Sequence, residues 1–340
     1  MKKGFWAKNS VAVIGAGSFG TVLANLAARN AEEVRLYVHH EDQARSINAT
    51  RKNTAYLKDY ELLENVKAFS DCARLFEKKP QALIWALPSK ACRTVAREVA
   101  PFLDGSEIII HATKGIEEKT LKRISVVLAE ELPCLRIGMI SGPNLATEIA
   151  AGQPAAAVIA SNFEEVIEAG NAILSSDTFR IYGSRDLLGV EWAGTLKNIL
   201  AIASGCLEAL ELGKNAQAML LTMGLIEIVR FGKAMGSETE TFLSLAGMGD
   251  LLATCSSELS RNFRVGYGLG KGKKLEEILK EIGSTAEGVS TSRIISQFAR
   301  ERLIEMPITQ GVEDLLEGTL APSEILKSLM ARPPVKFFAS

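Results

Sequence analysis

Apolar and polar positions in the first half of the chain follow one alternation. Short β-branched runs at residues 10–14, 34–38, 82–85, 107–111, 137–141 and 155–160 read as strands, with 180–182 as a shorter candidate. Helical windows separate most of them, the first at 21–29. Strands and helices in turn are the signature of a parallel sheet covered by helices. The pattern changes near Gly189. Segments 190–210, 216–234, 239–245, 274–282, 290–301 and 312–317 repeat with a helical period, and no convincing strand follows. Two glycine-rich stretches, 246–249 and 266–272, read as turns. The second carries Lys271, Lys273 and Lys274 but follows no strand, so it is expected to be a flexible connector.

Gly15–Gly20 reads GAGSFG, a G-x-G-x-x-G turn between the first strand and a helix. Gly15 permits the tight turn, Gly17 lets backbone approach a pyrophosphate, and Gly20 lets helix pack on strand. The helix start offers N–H groups and a positive dipole end to phosphates. The expected fold is therefore α/β: a Rossmann-type, doubly wound, mainly parallel sheet over residues 1–189, followed by an all-helical domain over 190–340. An NAD-specific site usually has an acid about 20 residues after the glycines. The second strand instead ends in His39 and His40, either surface histidines or contacts to an adenine or a 2′-phosphate. The choice between NAD and NADP leans slightly to NADP.

Trp192–Leu207, WAGTLKNILAIASGCL, has a single charge, Lys197, next to Asn198. An ammonium in an apolar helix is costly unless it is paired or loses its proton. Lys197 is therefore either a candidate acid/base or a stem that carries its head to solvent. Lys114 follows a strand end, where ligands gather in parallel sheets, and Ser141–Asn144 follows another. Asp250 precedes an apolar helical start and suits an N-cap. Arg261 beside Asn262 suits a bidentate anion contact or an exposed ion pair.

At 340 residues the chain suggests about two domains. Its 39 basic and 40 acidic side chains leave a net charge of −1, which argues against nucleic acid as a partner. Only 6% of residues are aromatic, too few for a base-stacking platform. No apolar run reaches the ~18 residues that span a bilayer, so no integral membrane segment is expected. The start, MKKGFW, superficially resembles a secretion signal, but the apolar run after it is too short. Five cysteines without a CxxC pair suggest reduced thiols in a cytoplasmic protein, with no disulfide framework and no metal.

GAGSFGTVLA, ALPS, TKGIE, SGPNLATEIA, GVEWAGTLKNILAI, GMGDLLATCSSELSRNFRVG, AEGV and LMAR occur in this order. In order and approximate spacing they resemble the soluble, NAD(P)-dependent sn-glycerol-3-phosphate dehydrogenases over nearly the whole chain. That resemblance implies reversible hydride transfer between dihydroxyacetone phosphate and sn-glycerol 3-phosphate, feeding phospholipid synthesis, in a cytoplasmic homodimer. It implies that Lys197 is the general acid/base, that Lys114 orients and polarises the substrate, and that Asp250, Thr254 and Asn198 hold Lys197 and the substrate oxygens. Ser260, Arg261 and Asn262 would bind the substrate phosphate, with Arg261 also reaching the cofactor. Ser18 and Phe19 would contact the pyrophosphate, Gly142 and Asn144 the substrate, Ala146 the cofactor, and Glu287 a cofactor hydroxyl.

The chain departs from the family pattern at His39, Asn144, Leu145, residues 209–214 and Met223. Two other readings stay open at this point. One is a dehydrogenase of similar layout acting on a hydroxy acid or sugar acid. The other is a cofactor-sensing protein without catalysis.

Overall fold

Eight strands assemble into one sheet: β1 (Ser10–Ile14), β2 (Glu33–Tyr37), β3 (Val66–Phe69), β4 (Ala82–Trp85), β5 (Ile108–His111), β6 (Ile137–Ser141), β7 (Ala155–Ser161) and β8 (Phe179–Ser184). The computed structural model describes residues 9–283 and 285–324. The sheet order is β3-β2-β1-β4-β5-β6-β7-β8, and every neighbouring pair is parallel except β6 with β7. The first six strands thus have the order 3-2-1-4-5-6 of a doubly wound sheet, the class expected from the sequence. Strands β1 and β4 are buried at every position, which is why their sequences run SVAVI and ALIW without polar alternation. The sequence reading missed β3. It has four residues at the sheet edge and buries only Val66 and Ala68 fully, so its apolar signal is faint.

The helices are α1 (Ser18–Ala28), α2 (Glu41–Thr50), α3 (Cys72–Leu75), α4 (Ser89–Val99), α5 (Ile124–Glu131), α6 (Ala146–Ala150), α7 (Glu164–Leu174), α8 (Leu187–Ala209), α9 (Lys214–Ala234), α10 (Thr239–Phe242), α11 (Asp250–Cys255), α12 (Arg261–Gly270), α13 (Leu275–Ile282), α14 (Glu287–Glu301) and α15 (Pro307–Glu317). Among the described residues no strand follows β8, and none of these helices is long and apolar enough to cross a membrane.

The chain divides into two compact units. One comprises Met1–Thr195 with Gly236–Ala253, the other Leu196–Met235 and the chain from Thr254 onward. In the first, two apolar layers sandwich the sheet, one including Val22, Leu23 and Leu26 of α1, the other Cys92, Ala96 and Val99 of α4. The returning segment 236–253 is held there by Asp186. This buried carboxylate accepts Gly189 N–H at 2.8 Å, Glu238 N–H at 3.0 Å and the Thr241 hydroxyl at 2.7 Å. A wide helical turn, Leu245–Gly249, then leads into α11.

In the second unit one expectation is corrected. Most of the glycine stretch 266–272 is no connector, because residues 261–270 form α12. A Cβ at Gly266 would stand 1.8 Å from Ile202 O, and one at Gly205 would stand 2.0 Å from Phe263 O. These glycines exist so that α12 and α8 can touch backbone to backbone; they do not loosen the chain. Ser260 starts α12 as its N-cap, its Oγ accepting Phe263 N–H at 3.3 Å. Two motifs from the sequence reading, MKKGFW at the start and LMAR at 329–332, lie outside the described residues.

Candidate active site

The glycine turn joins β1 to α1 beside the end of β4. Gly15 has φ +110°, a conformation open to glycine, and a Cβ there would meet Ala86 O at 2.6 Å. A Cβ on Gly20 would lie 2.0 Å from Gly15 O, so helix and turn touch only because it is absent. Gly17 differs. It is the N-cap of α1, no side chain caps that end, and a Cβ there would meet nothing within 4 Å. Space is thus open beside the uncapped start of α1 at the switch point of the sheet, as binding a pyrophosphate requires. Ser18 and Phe19 open the helix and are half-buried. Asn53, which the sequence reading missed, braces the turn. It is buried and donates to Ala16 O and to Thr21 Oγ1, each at 2.8 Å. Nothing near it in sequence marks that role, since the turn atoms it donates to lie more than 30 residues earlier. His39 is exposed after β2, edge-on to His40 with ring centroids 4.6 Å apart.

Further along the same sheet edge, the loops after β5 and β6 meet α11. Lys114 Nζ donates to Asp250 Oδ2 at 2.6 Å and to Gly142 O at 3.1 Å, and the Ser141 hydroxyl donates to the same Asp250 oxygen at 3.4 Å. Asp250 is buried; the Lys114 side chain is 17% exposed. The carboxylate thus serves Lys114. Asn144 lies in the loop after β6 with both amide atoms buried and no hydrogen-bond partner, an expense that a bound polar ligand would offset. Ala146 begins α6, partly buried.

The second unit holds the remaining candidates. Lys197 is 5% exposed, and its Nζ donates to Thr254 Oγ1, itself buried, at 2.6 Å. The head therefore stays within the protein and does not reach out to solvent. Asn198 is buried beside it. The starts of α12 and α14 are tied together: Asn262 Oδ1 accepts Gly288 N–H at 3.0 Å. A Cβ on Gly288 would strike Asn198 O at 2.7 Å, so Asn198, Asn262 and Gly288 are close neighbours. Arg261, exposed, and Glu287, half-buried, occupy the first positions of these two helices. Among the described residues no three His, Cys, Asp or Glu side chains gather to hold a metal.

A doubly wound sheet with an open glycine turn, together with a buried lysine on a hydroxyl and a second lysine on a carboxylate, defines a dinucleotide-dependent oxidoreductase. The family descriptions agree. Residues 10–167 match the N-terminal model of NAD-dependent glycerol-3-phosphate dehydrogenase, and residues 186–327 match the C-terminal model. The chain is 43% identical over 320 residues to glycerol-3-phosphate dehydrogenase [NAD(P)+] of Teredinibacter turnerae, covering 94% of each chain. It is 42% identical over 323 residues to the enzyme of that name from Saccharophagus degradans, covering 95% of this chain and 90% of the other. The crystal structure of the Coxiella burnetii glycerol-3-phosphate dehydrogenase superposes with a TM-score of 0.91 at 37% identity, covering 96% of this chain and 99% of that one. The chain belongs to the NAD-dependent glycerol-3-phosphate dehydrogenase family and is an NAD(P)-dependent oxidoreductase.

Proposed function

We propose that the chain interconverts dihydroxyacetone phosphate and sn-glycerol 3-phosphate. The observation that carries this reading is the buried Lys197 held on the Thr254 hydroxyl, in a chain whose two halves match one family. The nicotinamide, when bound, supplies the hydride in reduction and takes it up in oxidation. In reduction Lys197 Nζ gives a proton to the ketone oxygen; in oxidation it takes that proton from the alcohol. Thr254 Oγ1, accepting from Nζ, fixes the direction in which the amine points. Lys114, steered by Asp250, brings positive charge to the substrate oxygens and polarises the carbonyl. Asn198 and Asn144 hold the substrate hydroxyl and carbonyl groups.

The substrate phosphate falls to Ser260, Arg261 and Asn262 at the start of α12, where backbone N–H groups and a guanidinium suit a dianion. Asn262 accepts from Gly288 through Oδ1, which leaves its Nδ2 as the donor toward a ligand. Phosphate binding remote from the carbonyl fixes the ketone for reaction. Residues 15–20, Ala146 and Glu287 hold the cofactor, and His39, standing where an NAD site has an acid, favours NADP. On this reading residues 1–189 are chiefly the cofactor-binding domain, residues 190–340 chiefly the substrate and catalytic domain, and the protein works as a cytoplasmic homodimer supplying phospholipid synthesis.

The deciding experiment assays dihydroxyacetone phosphate beside several β-keto acids, each with NADH and NADPH. Turnover is expected with dihydroxyacetone phosphate. Turnover with a β-keto acid alone would move the chain to another substrate class.

A further inference from the structure

Glu191 is a charged residue early in α8 that none of these roles uses. Its side chain is 4% exposed. The carboxylate accepts Ser125 N–H at 2.9 Å and the Ser125 hydroxyl at 2.7 Å, and it pairs with Arg123. His111 Nε2 stands 3.3 Å away without the alignment of a hydrogen bond. Burial pushes this carboxyl up, but His111, Arg123 and Ser125 together outweigh burial and hold it at about 2. Glu191 is thus an anion throughout the working range of pH.

Its partners bracket one loop. His111 ends β5, while Arg123 and Ser125 sit at the start of α5. The chain between them folds back on itself: Ile116 and Arg123 form an antiparallel bridge, and Glu117 N–H donates to Lys122 O at 2.9 Å. Lys114 rides on this loop. One helical turn after Glu191, α8 presents Gly194. A Cβ there would stand 3.4 Å from Lys114 Cγ and 3.2 Å from Ser141 Oγ, so the lysine stem runs along bare helix backbone. A buried ionic cluster is a poor source of stability, because apolar residues of equal volume do as well or better. What such a cluster supplies is a fixed geometry.

We propose that Glu191 is a positioning residue for Lys114: by gripping the α5 end of its loop against α8, close beside His111 at the β5 end, it sets where the ammonium stands relative to Asp250. This rests on the substrate-polarising role given to Lys114 above. The test is a double-mutant cycle of wild type, Glu191→Gln, Lys114→Ala and the double variant. The readouts are kcat and KM for dihydroxyacetone phosphate, cofactor affinity by nicotinamide fluorescence, and thermal unfolding.

Glu191→Gln is expected to lower kcat/KM by roughly 10- to 100-fold, the scale of a small misplacement of a catalytic group, with cofactor affinity unchanged. In the Lys114→Ala background the same change is expected to cost less than about twofold. Equal losses in both backgrounds would overturn the proposal, because Glu191 would then act on the fold in general. So would wild-type activity in Glu191→Gln. Wild-type activity in Lys114→Ala would instead remove the role of Lys114 itself, and the inference with it. If Glu191→Gln does not fold, Ser125→Ala, which deletes one donor to the same carboxylate, takes its place with the same outcomes.

Discussion

Each compact unit buries a glutamate, and the two are treated in opposite ways. Glu191 in the first unit is met by a guanidinium, a histidine and a serine, and its carboxyl is held at about 2. Glu227 in the second is just as deeply buried, but it is met mainly by two backbone groups, Ile308 N–H and Thr309 N–H, each at 2.9 Å at the start of α15. There burial wins over those hydrogen bonds and the carboxyl is pushed up. Glu191 is thus fixed by a charged partner, whereas Glu227 is held by neutral N–H donors. Among the lysines, Lys114 donates to the Asp250 carboxylate and Lys197 donates to the Thr254 hydroxyl.

The sharpest way to break this contrast is to remove the amine on the hydroxyl. Lys197→Ala is expected to lower turnover by roughly 10²- to 10⁴-fold while nicotinamide fluorescence still reports cofactor binding. Turnover like that of wild type would end its acid/base role. The next largest effect is on stability. Glu191→Ala strands Arg123 and is expected to cost about 3–5 kcal/mol in denaturant unfolding. Glu227→Ala strands two backbone N–H groups and is expected to cost about 1–3 kcal/mol. Equal costs would mean that the charged partners of Glu191 add nothing.

The smallest effect is the most discriminating, since the two carboxylates should respond to acid with opposite sign. Glu191 has a lowered folded-state pKa, so its stabilisation is whole above the ordinary value near 4.5 and is lost as pH falls toward about 2. Glu227 has a raised one, so the folded state takes up its proton first, and stability from this group rises as pH falls through that pKa toward 4.5. Unfolding free energies measured against pH should therefore lose the acid limb in Glu191→Gln and lose the gain on mild acidification in Glu227→Gln. Matching profiles in the two variants would refute the comparison.

The sheet was legible because buried parallel strands carry unbroken apolar runs, as SVAVI and ALIW do. The glycine turn was legible because the demands of its backbone are written in adjacent residues. Lys197 stood out as a charge against apolar neighbours. What stayed hidden depends on partners distant in sequence. Asn53 braces a turn more than 30 residues earlier, and Asp186 reaches Thr241 across 55. Glu191 was missed although the cue that exposed Lys197, a charge at the edge of an apolar helix, lay one residue before the stretch that drew notice. The glycines of α12 misled for another reason. Glycine is written identically whether it frees a chain or lets two helices touch, and only the approach to Ile202 O decides which.

Gly17 draws a different kind of boundary. A methyl group added there would collide with no atom of the folded protein, so Gly17→Ala should melt and refold like its parent. The requirement for glycine at that place is imposed from outside the polypeptide, by a visitor with phosphates. A screen that selects variants for heat resistance would pass the change unnoticed, and only one that starves the cell of the reaction would see it.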